Sequence, residues 1–181
     1  MNNKEVELKF VITQNIKNQI IADLEKNCSR VFEDHLIDTY YEPSFKNFEI
    51  NGQTMECIRI RERQGKCVLG YKKIHRECSP VYCDEYETEI SDKTQMENIL
   101  FALGFNTQMI IDKTRTSYKL GSFQFDFDSV KNLGELLEVE LKNEMANIED
   151  IYKFVSKYNL TKKDVTYDGI QVLMKNALKN K

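Results

Sequence analysis

Proline and glycine are scarce in this chain of 181 residues, at two and seven respectively. That scarcity excludes a collagenous or linker-rich protein, and no Pro/Ser/Gly stretch divides the chain. Long hydrophobic runs are also missing. The longest, Ile99 to Phe105, is far short of the ~20 residues a membrane-spanning helix requires. The opening MNNKEVELKF holds no apolar signal segment, so a cytoplasmic location is expected. Five cysteines (Cys28, Cys57, Cys67, Cys78, Cys83) are an odd number without the spacing of a disulfide framework, which predicts free thiols in a reducing compartment. Neither sign of charge prevails: 26 Lys and Arg face 29 Asp and Glu, a net −3. Nothing global attracts nucleic acid or a membrane surface, so neither is expected as a partner, and an anionic partner must be met by a local cluster of bases.

What is present is a folding composition: 41% hydrophobic residues, with ten Phe and nine Tyr. Residues 1–181 fit one domain. Period-two alternation predicts strands over Lys4–Ile12, Phe32–Tyr41, Thr54–Arg63, Lys66–Ile74, Val81–Ile90, Asn106–Lys119, Ser122–Val130 and Leu133–Lys142. Gln64-Gly65 and Gly121 mark tight turns. Helical spacing predicts Asn15–Asn27, Thr94–Leu103 capped by Ser91 and stopped by Gly104, Asn147–Tyr158, and Asp164–Lys179. Eight strands with connections too short for parallel crossovers imply an α+β protein with a mainly antiparallel sheet.

Sorting each strand by parity separates its two faces. Glu5, Glu7 and Lys9 share one face, as do Arg59, Arg61 and Arg63, and Glu85, Glu87 and Glu89. Gln124, Asp126 and Asp128 oppose Phe123, Phe125 and Phe127; Glu138 and Glu140 oppose Leu137, Val139 and Leu141. A solvated sheet face accounts for any one strand. Multivalent charge of both signs across these strands also suits a barrel with a wet, charged interior, where bases hold phosphates and carboxylates hold Mg²⁺ or Mn²⁺. Lys113 and Arg115 share parity with Met109 and Ile111, which requires a change of exposure along that strand or a bulge.

Glu5-Val6-Glu7-Leu8-Lys9 resembles the ExExK signature of CYTH domains, the triphosphate tunnel metalloenzymes. Further matches follow in order: Asp38-Thr39-Tyr40-Tyr41, Ile58-Arg59-Ile60-Arg61, Tyr71-Lys72, Asp84-Glu85-Tyr86-Glu87, Lys113-Thr114-Arg115 with Tyr118, Phe127-Asp128-Ser129-Val130, Leu133-Gly134 and Glu138-Val139-Glu140. The segment DTYYEPSFKNF and the later Val165-Thr166-Tyr167 are more similar to class IV adenylyl cyclases than to the shorter triphosphatases. Gly70 departs from the family, which commonly has a β-branched residue there.

The resemblance implies an eight-stranded antiparallel β-barrel, closed or nearly closed into a triphosphate tunnel, with helices packed outside. It implies metal binding by Glu5, Glu7, Glu138 and Glu140, with Asp128 and Glu87 supporting the metal or the bases. It implies triphosphate binding by Lys9, Arg59, Arg61, Lys72, Lys113 and Arg115, with Tyr40 from the family motif. Lys9, Arg61, Lys113 and Glu138 are the expected catalytic residues. The implied reaction converts ATP to cyclic AMP and pyrophosphate with Mg²⁺ or Mn²⁺. The alternatives are hydrolysis of thiamine triphosphate or tripolyphosphate, and a non-catalytic nucleotide- or polyphosphate-binding module. A homodimer is compatible with the sequence and not required by it. His75, Cys78 and Cys83 lack a fourth ligand, so zinc is not expected, and His35 reads as a packed or surface residue.

Overall fold

A computed structural model describes residues 4–143 and 147–179. In chain order the elements begin with β1 (Lys4–Glu5), β2 (Glu7–Ile12), α1 (Gln14–Leu24), β3 (Arg30–Pro43), β4 (Glu49–Ile50), β5 (Gln53–Thr54) and β6 (Glu56–Arg63). Next come β7 (Lys66–His75), β8 (Tyr82–Ile90), α2 (Lys93–Ala102), β9 (Phe105–Leu120) and β10 (Phe123–Val130). The chain continues with β11 (Gly134–Leu141), α3 (Ile148–Val155), β12 (Val165–Thr166) and α4 (Ile170–Lys179). Eight strands have six or more residues, and they correspond to the eight that alternation predicts. The α+β class and the antiparallel sheet are as expected.

The chain divides into two compact units. One contains Lys4, His35–Asp112 and 168–179; the other contains Glu5–Asp34 and Lys113–Tyr167. The long strands β3 and β9 each contribute to both.

In the first unit the strand order is β1-β8-β7-β6-β3-β9. The turn Gln64-Gly65 joins β6 to β7 with both residues at positive φ (49° and 75°), the geometry that suits the strand twist of a two-residue hairpin. Asn51-Gly52 does the same for the small hairpin β4–β5 (53° and 75°), which the parity reading overlooks although Asn-Gly is a strong hairpin signal. One sheet face packs Tyr41, Ile60 and Leu100 of α2 with Ile58, Leu69 and Phe105. Asp92, not Ser91, caps α2: its side chain accepts from the Gln95 amide at 3.0 Å. A carboxylate one residue nearer the helix wins that position.

In the second unit the order is β3-β9-β10-β11-β2-β12. Leu8, Phe10, Phe127, Leu137 and Val139 point to one side and are wholly buried against Ile20 and Leu24 of α1 and Ile151 and Val155 of α3. Each such side chain contributes about 1.5–3 kcal/mol of burial. Thr13 caps α1 and Asn147 caps α3. The register of β9 on β10 is unbroken from Lys113 to Leu120, so there is no bulge in that stretch. Exposure changes on the other parity: Ile111 and Lys113 are both buried, whereas the even positions pass from exposed Ile110 and Thr114 to buried Thr116 and Tyr118.

The last predicted helix is shorter than Asp164–Lys179. Lys162–Asp164 is a single 3₁₀ turn, Val165 and Thr166 pair with Phe10 and Lys9, and α4 starts at Ile170. Two β-branched residues beside an open strand edge take the ladder hydrogen bonds in preference to a helix.

Candidate active site

Each unit carries a charged strand face of its own. In the second unit the register makes rows across four strands. Ser117 (β9) stands beside Asp126 (β10), Glu138 (β11) and Lys9 (β2). One step along on one side, Gln124 is followed by Glu140 and Glu7; one step along on the other, Arg115 is followed by Asp128. Lys113 lies a further step beyond Arg115. These side chains alternate with the buried Leu8, Phe10, Phe125, Phe127, Leu137 and Val139, so parity assigns both faces correctly.

The face gathers the bases Lys113 and Arg115 at one end, each matched there by carboxylates, and mainly carboxylates at the other. At the basic end the Lys113 ammonium and the Asp128 carboxylate are both fully buried and 2.7 Å apart. Arg115 donates from Nε and Nη2 to the two oxygens of Asp128, each at 2.6 Å. It also donates from Nη1 to Asp126 at 2.9 Å and from Nη2 to Glu138 at 2.5 Å. Burial by itself would lower the Arg115 pKa, but Asp128, Glu138 and Asp126 hold it well above the ordinary value. Burial likewise works against the Asp128 charge, and Arg115 and Lys113 overcome it, lowering that carboxyl. Ser117 donates to Asp126 at 2.5 Å, and Gln124 donates to both its oxygens. In the middle Lys9 stands 3.1 Å from Glu138 and 3.7 Å from Glu7.

At the acidic end the balance reverses. Burial, then the negative charges of Glu5 and Glu7, push the Glu140 carboxyl up to about 7, although Lys142 lies 2.5 Å away. Carboxylates that repel one another are the hard oxygen donors that Mg²⁺ or Mn²⁺ takes. Glu5, Glu7 and Glu140 therefore match a divalent cation in donor chemistry. Among the described residues no three His, Cys, Asp or Glu are gathered closely enough to hold a metal ion as they stand. Glu138 and Asp128, also expected near metal, are engaged by cations of the chain.

In the first unit Tyr40 (β3), Arg59 (β6), Gly70 (β7) and Glu87 (β8) form one row, and Asp38, Arg61, Val68 and Glu89 the next. Lys72 faces Glu85 across the β7–β8 ladder, with the charges 3.2 Å apart. Asp38 is fully buried and takes a bidentate pair from Arg61, Nε and Nη2 each at 2.7 Å. Arg59 reaches Glu87 at 3.3 Å, Glu85 at 3.7 Å and Asp38 at 3.9 Å. The departure at Gly70 has a local reason: a Cβ there would stand 3.3 Å from the Glu87 carboxylate and 3.7 Å from Arg59 Nε, in the space over which that pair closes. Burial pushes the Tyr40 hydroxyl up to about 12, so it is a neutral donor beside Arg59.

The expected site residues thus fall into two sets. Lys9, Lys113, Arg115, Asp128, Glu138, Glu140, Glu5 and Glu7 belong to the second unit, and Tyr40, Arg59, Arg61, Lys72 and Glu87 to the first. Asp38, Glu85, Asp126 and Ser117 join them without having been singled out. Their signal was parity with a neighbouring base, which needs the cross-strand register before it names a pair.

The profile of the CYTH domain matches residues 3–166, across both units. The chain belongs to the CYTH family. A candidate adenylate cyclase of Methanocaldococcus jannaschii is 28% identical over 170 residues, 89% of this chain and 93% of that protein. A solved protein of Pyrococcus horikoshii superposes with a TM-score of 0.76 at 24% identity, covering 94% of this CYTH chain and 99% of its own. A Hippeastrum protein, described as a candidate adenylyl cyclase with a dominant triphosphatase activity, superposes with a TM-score of 0.63 at 14% identity over 96% and 95% of the two chains. Among the described residues no helix is long and apolar enough to cross a membrane.

Proposed function

We propose that this CYTH chain is a metal-dependent enzyme acting on a triphosphate, and that its reaction is the conversion of ATP to cyclic AMP and pyrophosphate. The observation that carries the reading is the polarity of the second unit's charged face: Lys113 and Arg115 at one end, and Glu7 and Glu140, with Glu5 near enough to raise Glu140, at the other. A phosphate chain bearing a divalent cation is the ligand whose charges alternate to match.

Lys9, Lys113 and Arg115 bind phosphate oxygens in this reading, as do Arg59, Arg61 and Lys72 of the first unit. Arg59, Arg61 and Arg115 supply planar forks and Lys9, Lys72 and Lys113 compact charges. Glu5, Glu7, Glu138 and Glu140 would hold Mg²⁺ or Mn²⁺, which when bound neutralises phosphate charge and lowers the pKa of an attacking hydroxyl or water. The ribose 3′-hydroxyl attacks the α-phosphorus, and pyrophosphate departs with its charge stabilised by the Arg and Lys set. Lys9, Arg61, Lys113 and Glu138 are the residues assigned to that step, and Tyr40 supports Arg59.

The Hippeastrum relative favours a second reading in which water attacks the terminal phosphorus of a triphosphate held the same way. Purified protein incubated with Mg²⁺ or Mn²⁺ and, separately, ATP, thiamine triphosphate and tripolyphosphate decides between them. Cyclic AMP with pyrophosphate is expected; orthophosphate overturns the cyclase in favour of the hydrolase; binding without product makes the chain a sensor. Glu138→Ala and Arg61→Ala are each expected to abolish turnover with circular dichroism unchanged. Normal metal-dependent turnover in either folded variant refutes its assignment.

A further inference from the structure

Asp38 is wholly buried, carries a charge, and takes no role in binding or chemistry so far. It faces Arg61 across the β3–β6 ladder, and the two close a planar double hydrogen bond, Nε to Oδ1 and Nη2 to Oδ2, both at 2.7 Å. Asp128 and Arg115 make the same contact in the second unit, again between strand neighbours and again through Nε and Nη2, at 2.6 Å. Two separate strand pairs therefore seat an arginine by the same device. A bidentate pair fixes the plane and roll of a guanidinium, which a single ion pair leaves free. With Nε and Nη2 committed to Asp38, the Nη1 side of Arg61 is turned away from it. Arg59 Nη1 lies 3.9 Å from the same carboxylate, so one buried anion bears on both arginines of the strand.

We infer that Asp38 is a positioning residue: it aims the Arg61 guanidinium, and secondarily Arg59, at the phosphate oxygens of the substrate. The inference rests on the triphosphate reading above. It makes an uncommon prediction of sign. If Asp38 were only a counter-charge, removing it would strengthen binding of a polyanion, because a repulsive charge near the arginines is gone. If it positions Arg61, removing it weakens binding although the repulsion falls.

The test uses full-length protein, tripolyphosphate with Mg²⁺ as the calorimetric ligand, and Asp38→Asn as the isosteric neutral variant. Affinity is expected to fall about ten- to a hundredfold, the range a lost charge-assisted hydrogen bond spans. In an Arg61→Ala background the loss on Asp38→Asn should be much smaller, limited to what Asp38 does for Arg59. Unchanged or tighter binding by Asp38→Asn overturns the inference, as does an equal loss in both backgrounds. The ¹⁵N resonance of Arg61 Nε gives a readout that needs no ligand: slow proton exchange is expected in the parent and fast exchange in Asp38→Asn. Fast exchange in the parent overturns the inference. A parent that shows the slow Nε proton yet binds no triphosphate refutes the proposed function and leaves the anchoring of Arg61 by Asp38 standing. Should Asp38→Asn not fold, Arg61→Lys keeps the charge without the fork and must lose the same affinity; full affinity in that variant overturns the inference.

Discussion

Glu140→Gln separates the two demands placed on the acidic end of the second unit's face. A carboxyl with an ordinary pKa of 4.5 sits at about 7 in the fold because burial, then Glu5 and Glu7, oppose its charge. A raised acid binds its proton more tightly folded than unfolded, so the penalty is absent below about pH 4.5, grows between the two values and is complete above about 7. Its size is ~3 kcal/mol at pH 8. That value already includes the opposing pull of Lys142, so no separate allowance for that contact is due. In chelator at pH 8 Glu140→Gln should therefore be the more stable protein by ~3 kcal/mol, about 6–12 °C in melting temperature for a chain of this length. The gap should close as pH falls towards 4.5. Saturating Mg²⁺ or Mn²⁺ should raise the parent far more than the variant, by ~2.7 kcal/mol at a hundred times the dissociation constant. Thermal melts across pH, with chelator and with cation, measure all three. A variant less stable than the parent in chelator at pH 8, or a gap independent of pH, refutes the electrostatic account of this end.

Two further outcomes follow from the same charges. Asp128→Asn leaves Lys113 buried without its anion and Arg115 without its fork, so urea denaturation should show a loss of about 3–5 kcal/mol at neutral pH. Asp128, a lowered acid, lends stability above its unfolded pKa and loses it as pH falls through the folded value, so the deficit should shrink on acidification. His75 donates from Nε2 to Asp84 at 2.8 Å, has Nδ1 3.3 Å from Glu77, stacks on Tyr82, and has its pKa raised chiefly by Asp84. Proton NMR should place that pKa above 6.5 in the parent and return it towards 6.5 in Asp84→Asn; an unmoved titration refutes the pairing.

How much of this is legible in the sequence depends on how far apart the partners lie along the chain. Asp128 and Arg115 face each other across one hairpin, and the turn at Gly121 with alternation on both sides is enough to pair them. Glu138 and Lys9 are direct neighbours from opposite ends of the chain, and nothing local fixes that register; only the family motif brought both forward. Asp38 stands in the Asp38-Thr39-Tyr40-Tyr41 motif, yet parity gives its face without giving Arg61 as its partner. The helix boundary at α4 failed for a similar reason. The apolar period of residues 164–179 is helical throughout, and what removes Val165 and Thr166 from the helix is the edge of β2, a partner some 155 residues away.

Register also divides the carboxylates among the bases into two kinds, a distinction that composition and parity leave hidden. Asp38 and Asp128 have no exposed surface and each grips an arginine by two bonds, so neither can turn to water when an anion arrives. Glu87 and Glu85 are 43% and 22% exposed and meet Arg59 and Lys72 through longer contacts of 3.2–3.7 Å. On the proposed reading a phosphate competing for Arg59 or Lys72 would displace a carboxylate that solvent can receive, and one competing for Arg61 would meet a guanidinium held by Asp38. On the triphosphate reading the buried acids set geometry and the more exposed acids keep the bases paired until phosphate arrives, while at Glu140 repulsion from Glu5 and Glu7 outweighs the pull of Lys142 and favours a cation.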